Sequence, residues 1–123
     1  MTESSQLSKL TGNAKKLGQI IAATSGERKA IEREMRALKA KGLIYASTHW
    51  RDGRYLYLLY PLNGEPRKRE YIGADPARIK AAQEAMQRAE QYDSLNHRLR
   101  AVDAAIMRAA HLIASAVAEL QRR

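Results

Sequence analysis

The chain has 123 residues, a formal net charge of +9, no cysteine and no phenylalanine. That length suits one domain or an extended object rather than two domains, and the missing cysteine excludes disulfides, thiol catalysis and zinc–thiolate sites. The hydrophobic fraction is 45%, much of it alanine, beside 28% charged residues, a composition that favours long helices over a thick core. No apolar run suggests a membrane span of roughly 18 residues, and residues 1–10 lack a signal-peptide pattern. The chain therefore reads as a cytoplasmic protein without a membrane partner.

The first segment, residues 1–42, is a basic helical arm. Leu10, Ala14, Leu17, Ile21, Thr24, Arg28, Ile31, Met35 and Leu38 alternate in steps of four and three, the spacing of a coiled-coil seam. Thr24 and Arg28 are poor seam residues. Gly26 weakens a helix by about 1 kcal/mol relative to Ala, and Thr24 with Glu27 fits a capping box. These signals favour two helices, about 8–23 and 25–41, over one continuous helix. Lys39, Lys41 and Gly42 form a C-terminal stop.

The second segment, residues 43–75, has strand character. Leu43–Trp50 and Arg54–Tyr60 flank the turn dipeptide Asp52-Gly53. Arg67–Ile72 returns after Asn63-Gly64 and ends at Gly73. The result is a three-stranded antiparallel meander, which is stable only with one face covered. Alternation puts Leu56, Leu58, Tyr60 and Ile72 on the core face, and Tyr55, Tyr57, Arg67, Arg69 and Tyr71 on the other.

The third segment, residues 76–123, opens with Asp75 as N-cap and Pro76 at the first helical position. Ile79, Ala82, Met86 and Ala89 form an upstream stripe. Tyr92, Leu95, Leu99, Val102, Ile106, Ala109, Ile113, Ala116 and Leu120 continue it at three-four spacing, offset by one position. A helix over 76–121 reaches roughly 70 Å, against about 50 Å for the first helical region. Its C-terminal half would then lack an intrachain partner, which points to a homodimer through this seam. The fold class is mainly α with a small antiparallel β-meander.

Charge narrows the function. Residues 1–42 carry a net +5, residues 43–75 only +1 and residues 76–123 +3. Lys9, Lys15 and Lys16 lie in a stretch between Ser4 and Gly26 with no acid. Such an excess suits acidic partners, chiefly duplex DNA, through counterion release. The candidate DNA-binding residues are Arg51, Arg54, Tyr55, Tyr57, Arg67, Lys68 and Arg69 on the meander, with Lys9, Lys15 and Lys16 on the arm. Arginines reach phosphates or guanine edges, and tyrosines stack or donate hydrogen bonds.

An enzymatic reading finds no footing. His97 and His111 lie about 21 Å apart along one helix and cannot share a metal. No phosphate loop, elbow serine or spaced acid pair is present. No cofactor or metal is expected. The alternative reading is a coiled-coil adaptor or inhibitor that binds an acidic protein surface.

Two resemblances add context. Residues 25–60, a helix followed by a hairpin tipped by Asp52-Gly53, resemble the recognition helix and wing of winged-helix DNA-binding proteins, with one helix in front where that fold has two. The run Tyr55-Leu-Tyr-Leu-Leu-Tyr-Pro-Leu-Asn-Gly64, then Arg67-Lys-Arg-Glu-Tyr-Ile-Gly73, Asp75-Pro76 and a helix with Tyr92, resembles small bacterial proteins of unknown function carried by plasmids, phages and integrated elements. This likeness covers about residues 43–100. It implies a helix, a hairpin ending in Tyr-Ile-Gly, a long helix and a mobile-element setting, with no activity to carry over.

Overall fold

The computed structural model describes residues 2–61 and 68–123. The elements are α1 (Thr2–Lys41), β1 (Ser47–Arg51), β2 (Tyr55–Tyr60), β3 (Lys68–Gly73) and α2 (Pro76–Arg122). The strands form one antiparallel sheet in the order β1-β2-β3. The protein is thus mainly helical with a small antiparallel sheet between its two helices, as the sequence indicates. By contact it divides into two compact units: Met1–Arg33 with His97–Arg123, and Glu34–Asn96.

In the first unit, the expected break at Thr24–Gly26 does not occur, and α1 runs through it. Just beyond it stands Arg28. Its Nε donates to Asp103 Oδ1 at 2.6 Å, a second guanidinium nitrogen donates to Asp103 Oδ2 at 3.3 Å, and a third donates to Glu32 Oε1 at 2.8 Å. A residue that looks wrong for a seam is satisfied by one carboxylate on its own helix and one on α2. Thr24 and Arg28 are half-buried and Ile31 is buried. Gly26 points away: a Cβ there would meet nothing within 4 Å among the described residues. The helix thus bears the small propensity cost of glycine without a steric reason to break.

The same unit joins α1 and α2 at the start of the C-terminal half of the α2 seam. Asp103 binds Arg28, and Arg98 approaches Glu27 at 3.9 Å. Leu99, Val102, Ala109 and Ile113 on α2 are half-buried, as is Leu17 on α1. Ile106, Ala116 and Leu120 are exposed, and so are Leu10, Ala14 and Ile21.

In the second unit, the end of α1 is closed by Gly42, whose N–H donates to the Lys39 carbonyl at 3.1 Å with φ +104°. Arg88 donates to the carbonyls of Gly42 (2.8 Å) and Lys41 (3.2 Å), so orphan helix-end acceptors are satisfied. Leu43–Ala46 are a connector rather than the start of a strand. The Ile44 N–H donates to the Ala85 carbonyl at 3.2 Å, which ties the connector to α2. At the other end, the Asp75 carbonyl accepts the Ile79 N–H at 3.0 Å, so Asp75 stands at the N-cap and Pro76 opens α2.

The core lies between the sheet and α2. Leu56 and Leu58 are fully buried, Ile72 and Ala82 nearly so, with Ile44, Ala46, Tyr60, Ile79 and Met86 packed around them. Ala82, Ala85, Ala89 and Leu95 are the buried positions of α2 in this unit, and Ala82 is the one that joins the cluster of Leu56, Leu58 and Ile72. Between β2 and β3 the register shifts: Tyr57 pairs with Tyr71, but Leu56 pairs with Gly73. Ile72 is the extra residue of this bulge, and Gly73 follows it at φ +97°.

Two predictions follow from these contacts. Gly73→Ala should cost about 1–2 kcal/mol through left-handed backbone strain; urea unfolding with an unchanged midpoint would refute that. The Arg28 guanidinium holds the Asp103 carboxyl below its ordinary 3.8, chiefly by hydrogen bonding. The pair therefore stabilises the first unit above that value, and the effect is lost as pH falls through the lowered folded value. Amide exchange near residues 24–31 and 99–106 should be faster in Asp103→Asn than in the wild type at pH 7, and the two should converge in strong acid. A difference that persists unchanged at pH 2 would contradict this account.

Candidate nucleic-acid interface

The sheet has one face on α2 and the other turned outward, a consequence of the two-residue period of a strand. The register fixes what the outward face carries. His49 pairs with Tyr57 and Tyr57 pairs with Tyr71, so a row of three rings crosses all three strands. The His49 and Tyr57 ring centroids are 6.4 Å apart and tilted by 54°, and those of Tyr57 and Tyr71 are 5.0 Å apart and tilted by 53°. On the turn side of this row, Arg51 pairs with Tyr55, and the Arg54 guanidinium lies 5.2 Å from the Tyr55 ring centroid. On the opposite side, Leu59 pairs with Arg69. Cations therefore stand on both sides of the aromatic row.

The turn that presents Arg51 and Arg54 has two consecutive residues at positive φ, Asp52 at 54° and Gly53 at 70°. The Arg54 N–H donates to the Arg51 carbonyl across it at 3.2 Å. This is the geometry that the Asp52-Gly53 dipeptide signals. A shallow groove runs from the turn to the ring row, lined by Arg51, Asp52, Tyr55, Tyr57 and Tyr71.

Tyr71 stands beside Gly73. A Cβ built on Gly73 would lie 3.5 Å from Cε2, from Cζ and from the hydroxyl oxygen of Tyr71, so the hydroxyl end of the ring is at van der Waals distance from that position. The residue is 51% exposed.

The residues expected from the sequence separate into groups. Arg51, Arg54, Tyr55, Tyr57 and Arg69 come together on the outward face. Lys68 pairs with Tyr60 and belongs to the opposite face. Arg67 lies outside the described residues. Lys9, Lys15 and Lys16 are exposed on α1 in the other unit. The expected set leaves out His49 and Tyr71. Both follow once the turn is fixed, because counting back from Asp52-Gly53 sets His49 opposite Tyr57.

Other features of the molecule are structural in kind. Tyr45 donates to Asp93 Oδ1 at 2.8 Å, and its phenol is pushed up to about 12, first by burial and then by that bond. Tyr60 is likewise raised, first by burial and then by Glu70. Among the described residues, no group of three or more His, Asp or Glu could hold a metal ion. Helix α2 contains an 18-residue window of mean hydropathy 1.4, none of it buried, which is long and apolar enough to cross a membrane by length and composition alone. The stretch 101–118 nonetheless carries Asp103, Arg108 and His111, and Asp103 is ion-paired to Arg28. Comparison with protein-family models, with curated proteins and with solved structures finds no match to this chain.

Proposed function

We propose that the chain is a non-enzymatic DNA-binding protein of accessory or regulatory type, working as a dimer. The observation that carries this reading is the open sheet face, where Arg51, Arg54 and Arg69 flank a row of aromatic rings in a chain of net charge +9. Guanidinium groups supply phosphate contacts and the rings supply contacts to bases. The mobile-element setting rests on the resemblance of residues 43–100 alone.

The dimer part of the proposal is supported by exposed apolar side chains in the first unit, chiefly Ile20, Ile106, Met107, Leu112 and Val117. They remain exposed although α1 and α2 already meet, and a second copy would cover them. The same surface supports the second reading, a helical adaptor for another protein. Light scattering separates the two: a dimer that Leu112→Lys converts to folded monomer supports the first, and a wild-type monomer favours the second.

Duplex DNA binding should be salt-dependent. Three phosphate contacts per chain, six per dimer, give a log–log slope of about −5. The double variant Arg51→Glu/Arg69→Glu should lose more affinity than Lys15→Glu/Lys16→Glu. The reverse ranking would move the interface to α1, and absence of binding to any DNA, duplex or single-stranded, at low salt would remove the reading.

A further inference from the structure

We infer that the outward sheet face binds unpaired bases of single-stranded DNA by stacking, rather than reading base edges in a duplex groove. This rests on the nucleic-acid reading of the sheet proposed above and names the form of DNA that the face takes.

The inference begins with ring exposure. Tyr71 is 51% exposed. An exposed ring is a good platform for a base, whose π face is available only when the base is out of the duplex. Tyr57 and His49 continue the aromatic row across the strands, centroid to centroid at 5.0 Å and 6.4 Å, with successive rings tilted by 53° and 54°, so that bases can insert between or against them singly. Three strands span about 10 Å, room for two or three splayed bases, as on other one-sided sheets that bind single strands.

Cation placement agrees. Residues two apart on a strand are separated by about 7 Å, so Arg51 and Arg69 stand one such step to either side of the ring row on their strands. A strand whose bases lie on the rings keeps its phosphates near these guanidinium groups. Asp52 is the one carboxylate lining the groove; it disfavours dense phosphate packing at the turn more than it disfavours an uncharged base face. The segment's net charge of only +1 likewise suits a site in which stacking carries much of the affinity.

The test uses the full chain and three labelled ligands of equal length in fluorescence anisotropy: an oligothymidine strand, an abasic strand with the same phosphates, and the corresponding duplex. The expected result is that the thymidine strand binds roughly tenfold or more tightly than either of the others. Tyr57→Ala and Tyr71→Ala should each weaken it by roughly tenfold, while Tyr71→Phe should retain binding. Equal affinity for the thymidine and abasic strands overturns the inference, and that comparison uses the wild-type protein, so it holds even if a tyrosine variant unfolds. Tighter binding of the duplex also overturns it and leaves the DNA reading standing. Failure of all three ligands to bind at low salt removes the DNA reading itself and the inference with it.

Discussion

The packing of Leu56, Leu58 and Ile72 onto the alanine face of α2 is the contact on which the second unit depends. A three-stranded sheet cannot hold itself together in water with both faces wet. Here Leu56 and Leu58 of β2 and Ile72 of β3 are removed from solvent together with Ala82 of α2, while every residue of β1 stays exposed. Because a strand alternates, burying one face commits every other side chain to the opposite one. The outward row of His49, Tyr57 and Tyr71 is thus the geometric counterpart of the core.

The bulge in β3 connects these two faces. Without it, Ile72 would pair with Leu56 in the unbroken register; with it, Gly73 takes that place. The positive φ at Gly73 admits the extra residue, and a side chain there would come within van der Waals distance of the Tyr71 phenol. One residue that carries no chemistry of its own thus stands both at the end of the strand and beside an exposed aromatic ring.

The first unit solves a different problem. Its helical segments are rich in alanine and charge, and its inward positions include Thr24 and Arg28 where large apolar residues would ordinarily sit. Arg28 is held by Asp103 and Glu32, so the pairing of the two segments has a polar component that specifies register more than it adds stability. Much apolar surface on α2 stays in contact with solvent, including Met107 and Leu112. The excess positive charge of the chain lies on the helical segments, while the sheet segment is nearly neutral.

The sequence by itself determined the element types, the two strand faces, the N-cap at Asp75 and the stop at Gly42, because each depends on local periodicity or on one residue's backbone preference. The inward stripes of both helices were legible for the same reason. Tertiary structure decided what local signals could not. Gly26 and the Thr24–Glu27 pair read as a break, yet α1 runs through them, and Arg28 just beyond pairs with Asp103, seventy-five residues away in sequence. Leu43 and Ile44 read as strand, yet the bond to Ala85 and the closure of α1 by Arg88 make them a connector. The pairing of Arg28 with Asp103 depended on how the chain returns, which periodicity does not contain. The placement of Gly73 opposite Leu56 depended on a one-residue register shift, a property of two strands together and of neither alone.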